Sequence, residues 1–350
     1  MNLDDPGWRL LERFANAPPE GGASVECLWL HSGSPRAVTP GVRAIPTIAD
    51  LREAELAAEG WVGPRVPGDA DPLGDRRFDR AACWPRAHLG KDFTLACFAR
   101  AGLALREGGR LFVTARKAKG GKSLAAAMES LFGDVETIQR DRGYHLFVSE
   151  RGIGFDEALA HEWADQRYAI EDPRLPGLSL HSAPGVFSRR ELDEGTATLI
   201  DFAEQMVDEA PARVLDLCAG IGPLSLWAAQ RFEGARVRGV ESNLIAAGLA
   251  QQNAAAAGFG ERVRIDARVG LEASPPGATA SLVLSNPPTH AGEEGLRALL
   301  APLAAHLEPG APAYFVVNRH GRIVELLRAL GARVRAWEGE RFTIVGAKWS

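Results

Sequence analysis

Val214-Leu215-Asp216-Leu217-Cys218-Ala219-Gly220-Ile221-Gly222-Pro223-Leu224-Ser225-Leu226-Trp227-Ala228-Ala229 reads as a buried strand, a glycine turn and a helix. The strand is apolar except at Asp216, the pattern of a parallel strand covered on both faces. Glycines at a strand-to-helix turn let a ligand approach the backbone, and Pro223 suits a first helical turn. The N–H groups of the helix start can receive a carboxylate. A second strand, Val237-Arg238-Gly239-Val240, ends at Glu241, 25 residues after Asp216. That is the usual place for an acid that grips ribose hydroxyls. Glu241-Ser242-Asn243 then opens a helix carrying Ala246 to Ala257. An α/β domain follows from this pattern, with three readings of the turn: an adenosyl site, a dinucleotide site or an ordinary tight turn. Ser225 stands where the third glycine of Gly-x-Gly-x-x-Gly would fall, which weakens the dinucleotide reading.

A second motif shifts the balance. The apolar run Ser281-Leu282-Val283-Leu284-Ser285 ends at Asn286-Pro287-Pro288. Proline fixes φ and has no N–H, so this loop can neither extend the strand nor turn into a helix. The Asn286 side-chain oxygen and the Asn286 carbonyl can both accept from one planar amine. Such an amine is a weak nucleophile, and positioning supplies much of its catalysis. An amine clamp beside an adenosyl loop points to S-adenosylmethionine and methylation of nitrogen.

The order Leu215-Asp216-Leu217-Cys218-Ala219-Gly220-Ile221-Gly222, Val240-Glu241, Leu284-Ser285-Asn286-Pro287-Pro288-Thr289-His290 resembles the class I S-adenosylmethionine-dependent methyltransferases. More narrowly it resembles the ribosomal RNA guanine-N2 methyltransferases of the RsmC/RlmG type. Ser182-Ala183-Pro184-Gly185-Val186-Phe187-Ser188 with Leu192-Asp193-Glu194-Gly195-Thr196 is similar to the approach segment of that family. Val316-Val317-Asn318-Arg319-His320 and Arg341-Phe342-Thr343-Ile344-Val345 resemble two of its later strands.

The resemblance implies an α/β fold of two class I methyltransferase (Rossmann-like) domains, mostly parallel, with an antiparallel C-terminal hairpin. It implies methyl transfer to the exocyclic N2 of a guanine in ribosomal RNA, extruded into the pocket. Catalytic residues would be Asn286, Pro287, Pro288 and His290. The cofactor would contact Asp216, Cys218, Ala219, Gly220, Gly222, Glu241, Ser242, Asp266, Arg268 and Asn286. Substrate would meet Phe187, Thr289, Asn318 and Arg319. Plainer roles stand beside these: a helix cap for His290, Asp193 and Thr196, a surface turn for Asn318, and core packing for Phe187.

Two positions depart from the family. Thr289 replaces an aromatic residue that would stack on a base. After the third strand, Ile265-Asp266-Ala267-Arg268 puts Arg268 where an acid often contacts adenine. Another N-methyltransferase, acting on protein glutamine or adenine, and a non-catalytic cofactor-binding assembly factor are the alternatives.

Shifted back by 202 residues, the C-terminal half lies over the N-terminal half without gaps. Asn286 falls on Trp84, His290 on His88, Gly310 on Gly108, and Tyr314-Phe315-Val316-Val317 on Phe112-Val113-Thr114-Ala115. This is a repeat at domain scale. In the first copy the clamp residue is lost, and strand Val25-Glu26-Cys27-Leu28-Trp29-Leu30 runs into His31 with no Gly-x-Gly turn. Residues 1–161 are therefore expected to be a degenerate docking domain, 162–182 a linker, and 183–350 the catalytic domain.

The net charge of −5 is not that of a nucleic-acid binder as a whole. Arg110, Arg116, Lys117, Lys119 and Lys122 nevertheless fall within 13 acid-free residues. Lys117, Lys119 and Lys122 are the candidate phosphate contacts, against the plainer reading of a solvated loop; Arg189-Arg190 is a second candidate. The four cysteines are dispersed, without metal spacing, so no metal is expected. Met1-Asn2-Leu3-Asp4-Asp5 lacks a secretory pattern, and no apolar run approaches a membrane span. A cytoplasmic monomer acting on ribosomal RNA or a ribosomal subunit is the expectation.

Overall fold

The computed structural model describes residues 4–31, 35–36, 39–56, 60–272, 277, 279–288, 292–318 and 321–349. The chain divides into two compact units, Met1–Arg167 and Tyr168–Ser350.

Unit 1 runs α1 (Pro6–Ala15), β1 (Val25–Leu30), β2 (Val42–Pro46), β3 (Phe78–Cys83), α2 (Lys91–Ala104), β4 (Leu105–Arg116), α3 (Lys122–Phe132), β5 (Glu136–Asp141), β6 (Tyr144–Glu150) and α4 (Glu157–Ala164). Its sheet has the order β2-β1-β3-β4-β6-β5, parallel up to β4 and antiparallel beyond. Trp8 and Leu11 of α1 pack on Cys27, Trp29, Phe112 and Leu146 of that sheet, all of them buried.

Unit 2 runs β7 (Tyr168–Ile170), β8 (Leu180–Ser182), α5 (Glu194–Met206), β9 (Arg213–Leu217), α6 (Pro223–Arg231), β10 (Arg236–Glu241), α7 (Leu244–Ala256), β11 (Val263–Ala267), β12 (Leu282–Ser285), α8 (Glu293–Leu300), β13 (Ala313–Val317), α9 (Gly321–Ala329), β14 (Arg333–Glu338) and β15 (Thr343–Lys348). The order is β11-β10-β9-β12-β13-β15-β14, with β15 antiparallel to both of its neighbours. Leu215, Leu217, Val283, Phe315 and Val345 line one sheet face and form a core with Leu296, Leu300, Ile323 and Leu327 of α8 and α9. The mostly parallel sheet with its antiparallel end is the predicted architecture.

The two sheets match strand for strand: β1 with β9, β2 with β10, β3 with β12, β4 with β13, β6 with β15 and β5 with β14. Only β11 lacks a partner among the described strands of unit 1. The correspondence extends to backbone detail. His31 after β1 and Cys218 after β9 both take positive φ, 48° and 68°. Asp5 caps α1 and Asp193 caps α5, each followed two residues later by a glycine.

One boundary differs from the sequence reading. Residues 162–182 are not a free linker: they hold the end of α4, the division at Arg167/Tyr168, and β7 paired antiparallel with β8. Asn253 of α7, only 2 % exposed, secures this hairpin. Its Oδ1 accepts from His181 N at 2.8 Å, and its Nδ2 donates to the carbonyls of His181 and Ile221 at 3.0 Å each. That anchor joins positions far apart in the chain, which local proline content does not reveal.

Candidate active site

Chain order in unit 2 reverses at β9, which has β10 on one side and β12 on the other. Ligands of open α/β sheets bind at the carboxyl ends of strands at such a switch point. Register sets the neighbours. Leu217 pairs with Ser285, and Ser285 Oγ donates to Leu217 O at 2.6 Å, so Cys218 and Asn286 leave the sheet side by side.

The turn after β9 is held from beneath. Cys218 N and Ala219 N both donate to Val240 O, at 2.9 and 3.0 Å. Gly220 and Gly222 have φ of 56° and 90°. A Cβ at Gly222 would come within 3.2 Å of Ala250 Cβ, whereas one at Gly220 would meet nothing within 4 Å. Gly222 is thus a packing requirement, and Gly220 leaves an open face. Glu241 holds the turn and the next helix together: its Oε2 accepts from Gly220 N at 2.8 Å and its Oε1 from Asn243 N at 2.7 Å. Asn243 caps α7 and donates from Nδ2 to Gly185 O at 2.9 Å, tying the approach segment to the cofactor side. Ser242 lies between them, half-buried.

Asp216 is fully buried beneath the turn. Ser225 Oγ donates to its Oδ2 at 2.6 Å, while Oδ1 has no partner. Burial pushes its carboxyl up to about 7; the Ser225 hydrogen bonds oppose this and the charge of Glu241 adds to it. The position gives Asp216 a place behind the cleft wall.

Asn286 is half-buried at the end of β12, followed by buried Pro287 and half-buried Pro288. Its Nδ2 donates to Asp193 Oδ2 at 2.7 Å and to Thr196 Oγ1 at 2.9 Å. The amide nitrogen is therefore committed, and Oδ1 is left as an acceptor. Asp193 Oδ2 also accepts from Thr196 N at 2.9 Å as the α5 cap. Capping and orientation of Asn286 are one arrangement, so capping alone does not describe Asp193 and Thr196. A cap is recognisable from sequence, but a hydrogen bond across about 90 residues is not.

One cleft is lined by Phe187, Asp193, Cys218, Ala219, Gly220 and Asn286, among others. Phe187 is 72 % exposed there, so core packing is not its role. A larger hollow, about 630 Å³, lies between Tyr314, Trp337 and Gly346, and none of the predicted residues lines it.

Other predicted positions lie elsewhere. Of the predicted cofactor contacts, Asp216, Gly222, Glu241, Ser242, Asp266 and Arg268 do not line the cleft, and the Asp266 carboxylate is held by Arg238 at 2.7 Å and Arg264 at 2.8 Å. Glu272 extends this network through Arg238 and Arg268. Arg268 stands nearer the site, its backbone N–H donating to Glu241 O at 2.8 Å. Asn318 is exposed at the end of β13, and Lys117, Lys119 and Lys122 are exposed in unit 1. Thr289, His290 and Arg319 lie outside the described residues. Among the described residues, no cluster of His, Cys, Asp or Glu could hold a metal, and no helix is long and apolar enough to cross a membrane.

The methyltransferase small domain family matches residues 177–346. The ribosomal RNA small subunit methyltransferase C of Pseudomonas paraeruginosa is 31 % identical over 329 residues, covering 87 % of this chain and 95 % of that protein. The chain belongs to the ribosomal RNA small subunit methyltransferase C family. The methyltransferase C of Hahella chejuensis is similar at 26 % identity, with 78 % of each chain covered. The fold is shared with T. thermophilus 16S rRNA N2 G1207 methyltransferase (RsmC), solved in complex with AdoMet and guanosine. That likeness has a TM-score of 0.77 at 23 % identity, over 99 % of this chain and 92 % of that one.

The methyltransferase small domain falls within unit 2 of this chain. Unit 1 shows why its copy lacks a clamp. Trp84, at the position of Asn286, packs against Trp8 and Tyr144 with ring centroids at 6.1 and 5.9 Å. Asp5, the counterpart of Asp193, accepts from Tyr144 Oη at 2.9 Å. The acid remains, but a ring fills the place of the amide.

Proposed function

We propose that this protein methylates the exocyclic N2 of a guanine in small-subunit ribosomal RNA, with S-adenosylmethionine as donor. The observation that carries the reading is the orientation of Asn286: Nδ2 is bound to Asp193 and Thr196, and Oδ1 is left to accept beside the glycine turn.

The residues present suit the donor. Gly220 gives an open backbone face, Glu241 stands at the end of β10 bound to the Gly220 N–H, and Cys218 and Ala219 line the cleft. Ser242, next to Glu241 in the chain, and Arg268, whose N–H donates to Glu241 O, would meet the adenine side of such a ligand, while Asp216 supports the turn through Ser225. When bound, the cofactor supplies an electrophilic methyl carbon on a positive sulfonium.

Protein residues do the positioning. Asn286 Oδ1 and the Asn286 carbonyl accept the two N–H bonds of the guanine amine, which fixes the direction of its lone pair. Pro287 and Pro288 keep that carbonyl from turning away. No general base is required, because the amine proton becomes acidic as the C–N bond forms. Phe187, exposed at the cleft, supplies a ring for an extruded base where the loop offers Thr289 instead of an aromatic. Unit 1 serves as the RNA-docking platform, with Lys117, Lys119 and Lys122 as phosphate contacts.

The test combines labelled S-adenosylmethionine, unmethylated small-subunit rRNA or subunits, and the Asn286→Ala variant. Wild type is expected to place label in N2-methylguanosine. Asn286→Ala is expected to lose transfer while keeping cofactor affinity within about twofold, since positioning acts on the acceptor. Undiminished turnover by the variant would sink the mechanism.

A further inference from the structure

Unit 1 has lost the amine clamp, yet the sheet end that corresponds to the substrate mouth of unit 2 is strongly basic. The 202-residue shift lays Arg116 and Lys117 over Asn318 and Arg319. Two segments distant in sequence meet there. One is the turn from β4 into α3, carrying Arg116, Lys117, Lys119 and Lys122. The other is the β5–β6 turn, carrying Arg140 and Arg142. Arg116 pairs with Tyr144 and Arg140 with His145 on the strands between them. Lys117 N donates to Gly143 O at 3.2 Å, which joins the two turns directly. Burial and the charges of Arg140 and Lys117 lower the His145 pKa, in keeping with their convergence.

Four observations separate this patch from an ordinary solvated surface. All six cations are exposed, and Asp141 is the only acid in residues 116–122 and 140–145. Lys117, Lys119, Lys122, Arg140 and Arg142 form no ion pair among the described residues, whereas neighbouring Arg110 pairs with Glu150 at 3.1 Å. Arg142 takes φ 45° in a two-residue hairpin turn with Gly143 at 81°. Asn or Gly fits that position without strain, so an arginine there costs on the order of 1 kcal/mol. Arg116 is also stacked over Tyr144, 4.8 Å from the ring centroid, so its charge is held at the strand end.

We infer that the β4–α3 and β5–β6 turns form one phosphate-binding platform for the ribosomal RNA backbone, built on the vacated substrate mouth of the degenerate unit. This rests on the proposed RNA substrate and adds the Arg140–Arg142 turn as half of the platform. The favoured ligand is a run of backbone phosphates, because the patch offers six exposed cations with one acid, Asp141, among them.

The experiment measures binding of the full chain to unmethylated small-subunit rRNA over a KCl series, for wild type, Arg140→Ala/Arg142→Ala, Lys117→Ala/Lys119→Ala, and Arg110→Ala. Removing one phosphate-binding cation lowers the slope of log K against log salt by about 0.7–0.9. Both double variants are expected to lose about 1.4–1.8 in slope and at least roughly tenfold in affinity near 0.15 M salt. Arg110→Ala is expected to keep the wild-type slope. Arg140→Lys/Arg142→Lys should restore most of the slope, which a merely structural role for the turn would not allow. Cofactor titration and a thermal melt check that each variant is folded.

An unchanged slope in Arg140→Ala/Arg142→Ala overturns the platform. So does a variant that keeps rRNA affinity but loses binding to the assembled subunit, which would assign the patch to a ribosomal protein. Failure of the wild type to methylate any rRNA would instead overturn the proposed function.

Discussion

In the proposed mechanism Asn286 acts through the direction of its amide, so Asp193 and Thr196, which hold its Nδ2, matter as much as Asn286 itself. Asp193→Ala removes one of the two acceptors of Nδ2 and the α5 cap together. We expect a fall in kcat of about 10- to 100-fold and about 1 kcal/mol of stability, read by methyl transfer and urea denaturation. Asp193→Asn keeps an acceptor oxygen and should recover most of both. Asp216 is expected to make stability depend on pH. Its folded pKa of about 7 lies above the usual 3.8. The folded state therefore keeps a proton that the unfolded chain has already released. Its contribution to stability is full below about pH 4, is lost as pH rises to 7, and then levels off. Asp216→Asn cannot ionise, so its stability should gain on wild type across that window, by up to a few kcal/mol at pH 8. Melting temperatures of the two proteins that run parallel from pH 4 to 8 would contradict the assignment.

At the scale of elements, the site depends on segments that no single motif contains. The glycine turn needs Val240 O, Glu241 and, through Ile221, the amide of Asn253. Asn253 also holds the β7–β8 hairpin at His181. Asn253→Leu would leave the buried Ile221 carbonyl and the half-buried His181 N–H and C=O without this partner, at a cost of roughly 2–5 kcal/mol. Urea denaturation should show that loss, and hydrogen exchange should be fastest at His181 and the glycine turn. The sequence around Asn253 is an alanine-rich helix with nothing to mark this residue. Its role follows from which face of α7 meets β8, and only packing decides that.

The whole molecule is one strand order built twice, and the proposed function divides the labour between the copies. Unit 2 carries the glycine turn, the acid at the end of β10 and the oriented Asn286 within Tyr168–Ser350. A polypeptide of residues 168–350 is therefore expected to unfold cooperatively and bind S-adenosylmethionine, while its KM for rRNA rises at least tenfold without unit 1. Isothermal titration and methyl-transfer kinetics separate these effects. A polypeptide beginning at residue 183 would lack β7 and β8 and should be markedly less stable, because Asn253 would lose its hairpin partner.

The sequence by itself determined the strands, the glycine turn and the Asn-Pro-Pro loop, each written in residues close together, and of the repeat the part where β12 and β13 overlie β3 and β4 at one fixed spacing; β9 overlies β1 only at a shorter spacing, which the sheet order reveals. Apolar runs make buried strands wherever they sit, and proline and glycine restrict the backbone locally. Tertiary structure decided which polar groups meet. It turned Asp266 into an ion pair with Arg238 and Arg264, set Asp216 behind the turn, and exposed Phe187 at the cleft. It also brought Asp193 and Thr196 to Asn286, and Arg140 and Arg142 beside Lys117. A hydrogen bond or an ion pair is specified by distance and direction in space, and sheet register and helix packing fix those only once the chain has folded.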